Sequence, residues 1–253
     1  MKAKKKFGQN FLINEEIVKK IINSINYEQY SQVIEVGPGT GALSKHLLKK
    51  CNPILIEVDE EAVKFLKENI SEKMNIIQAD FLKIDLDTLL KNKSVVIGNF
   101  PYNISTQILF KILNHKNKIQ TIIGMFQKEV AERICSKPKS KKYGIISVLI
   151  QAYYNTEILF NVKKENFSPQ PKVESSVIKL SRNSIKTLKC PEDKFKKIVK
   201  TSFNQRRKKL KNSLKTEIID FEKIDLDLLN KRAEELSVEN FVTLTNLIYQ
   251  NES

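Results

Sequence analysis

The sequence predicts an α/β fold: a largely parallel sheet flanked by helices, finished by an antiparallel hairpin and followed by a small helical domain. Three observations carry this. Short apolar runs alternate with amphipathic stretches between residues 33 and 125, a glycine-rich turn directly follows the first of those runs, and residues after 190 show helical periodicity alone.

Residues 14–25 place Ile17, Val18, Ile21, Ile22 and Ile25 on one helical face behind Asn14, a favourable N-cap. Residues 33–36, 54–56, 75–77, 94–97 and 121–125 read as strands, with helices over 43–48, 62–66 and 104–113. A sheet wound in this way binds ligands beyond the carboxyl ends of its strands. Residues 157–160 and 173–180 then read as an antiparallel hairpin around a Pro-containing loop. A polar stretch and Pro191 end the pattern, so the expected domains are 1–182 and 183–253. In the second, Phe195, Ile198, Val199 and Phe203 mark a buried helix face, and Ser237 caps a last helix bearing Phe241, Leu244 and Ile248.

At 253 residues and 41% hydrophobic, the chain can bury a substantial core. Its 44 Lys and Arg against 29 Asp and Glu give a net charge of +15, which favours a polyanionic partner and makes nucleic acid the first expectation. The charge is not evenly spread. Residues 194–215 contain many Lys and Arg and no acid, the pattern of a phosphate-binding stripe rather than a merely solvated face. The start is basic and polar, and no apolar run is long enough for a membrane span, so a cytoplasmic protein is expected. Cys51, Cys135 and Cys190 are scattered and have only His46 and His115 as companions, which argues against a disulfide framework or a metal site.

The stretch VIEVGPGTGAL puts Gly37, Gly39 and Gly41 between the first strand and a helix, where glycine lets backbone approach a ligand. Gly37-x-Gly39-x-x-Ala42, with Glu57 twenty residues on, also fits a dinucleotide site. Two points favour S-adenosylmethionine instead. The loop has Pro38 and Thr40 but no lysine for a pyrophosphate, and Asp80 ends the third strand, where a carboxylate can accept from an adenine amino group.

After the fourth strand comes Asn99-Phe100-Pro101-Tyr102. An exocyclic adenine amine is a poor nucleophile because its lone pair is delocalised into the ring. Acceptors aimed at its two protons favour a pyramidal nitrogen, so the Asn99 amide oxygen and the Phe100 carbonyl suit that task, with Pro101 fixing the turn. Tyr102 can stack on an extruded base.

With these motifs in hand, the chain resembles the KsgA (RsmA) family of ribosomal RNA adenine dimethyltransferases, a group that includes the Erm resistance enzymes. The likeness runs nearly end to end through KKFGQNFL, EVGPGTGAL, IEVD, GNFPYNIS, FSPQPKVESSVIKL and FNQRRKKLKNSL. It implies a class I, Rossmann-like methyltransferase fold acting on small-subunit RNA in a pre-mature 30S particle, as a monomer. It implies that Gln9, Asn10, Leu12, Gly37, Gly39, Gly41, Glu57, Val58, Asp80, Phe81 and Asn99 border the cofactor. Phe167, on its own an unremarkable core aromatic, would stack on the target adenine opposite Tyr102. Lys4, Lys5, Lys6, Lys139, Lys141, Lys142, Arg206, Arg207, Lys208 and Lys209 would contact RNA. Phe100 departs from the leucine or isoleucine more usual in the family. The competing readings are an Erm-type enzyme of large-subunit RNA, a largely non-catalytic assembly factor, and a DNA adenine or protein glutamine methyltransferase.

Overall fold

The structure, a computed structural model, describes residues 1–217 and 224–249. The chain divides into two compact units, one of Met1–Ala131 and Thr156–Arg182, the other of Glu132–Asn155 and Asn183–Ser253. The stretch Glu132–Asn155, which ends in the first two residues of a sheet strand, therefore groups with the C-terminal helices, whereas the sequence boundary at residue 183 places it with the sheet.

In the first unit, β1 (Phe11–Leu12) precedes α1 (Glu15–Asn23), and then β2 (Gln32–Val36), α2 (Ser44–Leu47), β3 (Ile54–Glu57), α3 (Glu60–Asn69) and β4 (Asn75–Gln78) follow. β5 (Ser94–Asn99), α4 (Ser105–Asn114) and β6 (Ile119–Gln127) complete the parallel part. Asn14 caps α1 as its sequence position predicts, its Oδ1 accepting from Glu16 N at 2.9 Å and Ile17 N at 3.2 Å. Beyond β6 come α5 (Lys128–Ile134), α6 (Ile145–Gln151), β7 (Tyr154–Val162), β8 (Phe167–Ser168) and β9 (Ser175–Arg182).

The main sheet runs β4-β3-β2-β5-β6-β9-β7. Its first five strands are parallel, and β9 enters antiparallel to β6. The chain winds outward from β2 through β3 to β4, then returns to lay β5 on the other side of β2. That reversal opens a crevice between the carboxyl ends of β2 and β5, where Gly37 and Asn99 lie.

No local pattern marks the two-residue pairing of β1 with β8, in which Leu12 faces Phe167 across an antiparallel ladder. Nor does one mark α5 and α6, because the segment carries its apolar residues without a clear break from the strand before it. The core under this ladder gathers Leu12, Val18, Ile21, Ile97, Ile123, Phe167 and Val177.

The second unit is helical: α7 (Glu192–Asn204), α8 (Leu210–Ser213), α9 (Leu226–Asn230) and α10 (Val238–Tyr249) follow one another. Phe195, Ile198 and Val199 are buried on α7, with Phe241 and Leu244 buried on α10. Ser237 caps α10 through its hydroxyl, which accepts from Asn240 N at 3.2 Å. No helix among the described residues is long and apolar enough to cross a membrane.

Candidate active site

A cavity of about 250 Å³ opens at the crevice. The glycine turn forms its floor. Gly37 and Gly39 adopt φ of +69° and +56°, backbone that side-chain-bearing residues rarely take, and a Cβ on Gly39 would lie 2.8 Å from the Phe11 ring. Gly41 is different. Its φ is +78°, but a Cβ there would strike Ile70 and Leu66, and it does not line the cavity. The expectation that Gly41 borders the cofactor is corrected: it lets the turn pack on α3.

Glu57, 4% exposed, ties the turn to the end of β3. One carboxylate oxygen accepts from Gly39 N at 3.0 Å, and the other from Val58 N and Asp59 N, both at 2.9 Å. Burial pushes its pKa up although these three donors oppose the shift. Two oxygens offer about four acceptor sites, so one stays available for a ligand hydroxyl. Asp80 lines the far side, with one oxygen accepting from Leu82 N at 2.9 Å. Val58 and Phe81 line the cavity beside them.

Glu35 also lines the cavity, and sequence reasoning passes over it. The signal is nonetheless present: an acid inside the apolar run of residues 33–36 has no reason to be there on packing grounds. It is 1% exposed and accepts from Ser44 Oγ at 2.7 Å. Burial is the main cause that raises its pKa from 4.5 to about 8, with the charge of Glu57 adding to it. The folded state thus keeps a proton that the unfolded chain has released between those values, and stability falls as pH rises from about 4.5 toward 8. Glu35→Gln, which preserves an acceptor for Ser44, is expected to flatten this fall. Thermal unfolding from pH 5 to pH 8 checks it, and two parallel curves would contradict it.

The near wall is the amino-terminal segment, since Lys6, Phe7, Gly8, Gln9, Asn10, Phe11 and Leu12 all line the cavity. Gln9 holds this segment rather than offering its amide to a ligand. Its oxygen accepts from Lys4 N at 2.8 Å, and its nitrogen donates to Asp59 at 3.1 Å. Lys4 Nζ lies 2.7 Å from Asp59 and 3.0 Å from Glu61. Lys4 is therefore an internal tether, a correction to its expected RNA role, whereas Lys5 and Lys6 are exposed.

At the end of β5, Asn99 Nδ2 donates to the Asn10 carbonyl at 2.7 Å. A carbonyl only accepts, so this bond fixes the amide orientation and leaves Oδ1 as the free end; it accepts no hydrogen bond among the described residues. Phe100, Pro101 and Tyr102 line the same wall. Tyr102 is held by its hydroxyl, 2.5 Å from Ser175 Oγ, while burial raises its pKa.

Phe167 does not reach the cavity. Pairing with Leu12 turns its ring into the core, where it is 2% exposed, so the expected stacking on the target base is corrected in favour of a core aromatic. Phe167→Leu keeps an apolar side chain and removes the aromatic face. It should cost about 1 kcal/mol of stability and leave the transfer rate near wild type. A stacking residue would instead lose roughly 1–3 kcal/mol of substrate interaction. Unfolding curves and single-turnover rates measured together decide between the two.

In the second unit, Arg206 is likewise engaged internally, with Nε 2.6 Å from Glu234 and its terminal nitrogen on the carbonyls of Ser140 and Lys141. Lys142 pairs with Glu132. Arg206 was expected on RNA and is corrected to internal partners, whereas Lys142 keeps half of its side chain exposed. Lys139, Lys141, Arg207 and Lys208 are exposed, together with Lys209, whose ammonium lies 3.3 Å from Asn230. The Arg206 bonds bring the loop carrying Lys139 and Lys141 up to the segment carrying Arg207 and Lys208.

A seven-stranded, mostly parallel sheet with an antiparallel β9, a glycine turn at its switch point and an uncharged amide–aromatic wall opposite define the chain as a class I, S-adenosylmethionine-dependent methyltransferase. Comparison with known proteins narrows this. Residues 1–250 match the ribosomal RNA adenine dimethylase family, and the chain belongs to that family. The ribosomal RNA small subunit methyltransferase A of Cytophaga hutchinsonii is 46% identical over 252 residues, covering 98% of both chains. The protein of the same name from Flavobacterium johnsoniae is 49% identical, covering 98% of this chain and 96% of its own. Among solved structures, a dimethyladenosine transferase from Plasmodium falciparum superposes with a TM-score of 0.79 at 23% identity, covering 96% of this chain and 98% of its own. The 23S rRNA methyltransferase ErmE gives 0.73 at 21% identity, covering 94% and 99%, so both share the fold.

Proposed function

We propose that this chain dimethylates N6 of two adjacent adenosines in the 3′-terminal hairpin loop of small-subunit ribosomal RNA, within a pre-mature 30S particle. It acts as a cytoplasmic monomer, late in subunit assembly. The observation that carries the chemistry is the orientation of Asn99, whose nitrogen is occupied by the Asn10 carbonyl so that its oxygen is left to accept. The names of the relatives, each a small-subunit methyltransferase at 46% and 49% identity, support the choice of RNA.

The cavity suits S-adenosylmethionine on its own chemistry. Beside the protonated Glu35, its ionisable lining is Glu57 and Asp80 against a single ammonium, Lys6, with no cluster of cations to meet a pyrophosphate. Gly37 and Gly39 would hold the methionine end with Asn10 and Leu12 alongside, Glu57 the ribose, and Asp80 with Val58 and Phe81 the adenine. Bound there, the cofactor supplies an electrophilic methyl group.

The rest is done by the chain. Asn99 Oδ1 and the Phe100 carbonyl accept from the target amine, which localises its lone pair on nitrogen. Pro101 fixes the turn between them. Tyr102, held by Ser175, gives a ring face for the extruded base. In each transfer the nitrogen would take the methyl from the sulfonium, leaving a neutral thioether, and release one proton to solvent; after the first, one proton remains on nitrogen, and the amine must rotate so that this proton meets an acceptor and the methyl takes the other place. Exposed Lys5, Lys6, Lys139, Lys141, Arg207, Lys208 and Lys209 are the proposed phosphate contacts.

The test uses purified small and large ribosomal subunits lacking the modification, each incubated with the protein and methyl-labelled S-adenosylmethionine. Label is expected in small-subunit RNA alone. Label in the large subunit would overturn the choice of substrate.

A further inference from the structure

The Phe100 side chain is the one member of the amide–aromatic wall whose placement the proposed chemistry leaves unexplained. Its residue is 1% exposed, yet it adjoins the cavity and sits between Asn99 and Pro101. The ring rests on two glycines that face each other directly in the parallel ladder, Gly98 of β5 and Gly124 of β6. A Cβ on Gly98 would lie 2.7 Å from one edge of the ring and 2.6 Å from the Val36 carbonyl oxygen, and a Cβ on Gly124 would lie 2.4 Å from the opposite edge and 2.6 Å from the Phe126 ring. Phe126 closes the arrangement edge-on, its centroid 5.3 Å from that of Phe100 with the planes at 77°.

Neither glycine has a positive φ, so conformation does not require glycine at either position. Space does. Paired glycines in the interior of a sheet weaken it and leave nothing to pack, unless something else occupies the site. Here the occupant is the ring of the residue that carries one acceptor and directly follows the other.

We propose that the Gly98–Gly124 pair is a seat for the Phe100 ring, that Phe100 is thereby a positioning residue, and that the depth of this seat sets how completely the second methyl is transferred. The inference rests on the amine-methylating function proposed above. A ring pinned between two strands prevents the backbone at residues 99–101 from rotating, which fixes the Asn99 oxygen and the Phe100 carbonyl relative to each other. The first transfer has two protons to satisfy and tolerates one imperfect acceptor. The second has one proton and a methyl group to place in the same space, so it tolerates less.

Gly124→Ala tests this, because the added methyl would overlap the ring and must displace it. Single-turnover reactions on unmethylated small subunits would follow monomethyl- and dimethyladenosine with time. The variant is expected to accumulate the monomethyl product, with the second step slowed at least several-fold more than the first and the Kd for S-adenosylmethionine unchanged. Adding Phe100→Leu, whose shorter side chain makes room for the new methyl and for the Phe126 ring, 2.6 Å from that methyl, to move aside, should restore dimethylation to Gly124→Ala. Equal slowing of both steps, an unchanged product ratio, or failure of the double variant to recover would each overturn the seat. The wild-type reaction separates the two claims: if it forms no methyladenosine, the proposed function fails, and if it forms the dimethyl product while Gly124→Ala does so equally, only the seat fails.

Discussion

Asn99→Ala is expected to reduce methyl transfer by on the order of 10²–10³-fold while leaving RNA affinity within about twofold of wild type. The reason is local. The substitution removes the acceptor at the end of β5 and also frees the Asn10 carbonyl that the Asn99 nitrogen had occupied at 2.7 Å. Nothing on the basic surface of the second unit changes. Single-turnover rates with saturating RNA, beside filter binding of the same RNA, read the two effects separately. Asn99→Asp refines the reading, because its carboxylate still offers acceptors to the amine but none of its atoms can donate to the Asn10 carbonyl. It should recover part of the chemical step at the cost of a looser amino-terminal wall. Full activity in Asn99→Ala would remove Asn99 from the reaction.

The second large effect is electrostatic. Replacing Lys139, Lys141, Arg207 and Lys208 by Gln together should weaken RNA binding and lower the slope of log affinity against log salt by about 3, near 0.7–0.9 for each phosphate no longer neutralised. These four side chains are exposed. Arg206→Gln serves as the contrast, since this guanidinium binds Glu234 and the carbonyls of Ser140 and Lys141. Its loss should reduce thermal stability and disturb the loop, with a smaller change in slope than the quadruple variant. Titrations at several salt concentrations distinguish them. An unchanged slope in the quadruple variant would exclude this surface as the place where RNA binds.

How much of the fold and site is legible in the sequence depends on what kind of signal each residue gives. Strand–helix alternation and the turn after residue 36 locate the crevice, because period and glycine placement are local properties of the chain. Asn99 and Glu57 stand out because each ends a strand on the side where ligands bind, and Asp80 follows two residues after the end of β4. Partnerships across the chain leave no such mark. Lys4 and Arg206 look like any other cation in a basic run, and only the folded chain shows them facing Asp59 and Glu234. Phe167 misleads for the same reason, since its direction is set by a ladder with Leu12, 155 positions away (167 less 12). Gly41 shares a motif with Gly37 and Gly39 but turns toward α3. Glu35 is within reach of a reader who asks why a strand core carries a carboxyl. The glycine pair beneath Phe100 is not, because its meaning lies in two strands lying side by side.

Everything proposed for the uncharged wall of Asn99, Phe100, Pro101 and Tyr102 turns on its serving an adenine amine that is methylated twice. Nucleoside mass spectrometry, with mapping of the modified positions, on small subunits treated with the protein and S-adenosylmethionine measures this directly. N6,N6-dimethyladenosine is expected at two adjacent positions in the 3′-terminal hairpin loop, forming on the order of 10²–10³-fold more slowly with Asn99→Ala. Methylation at a ring carbon, at a base other than adenine, or at scattered adenosines outside that loop would contradict it.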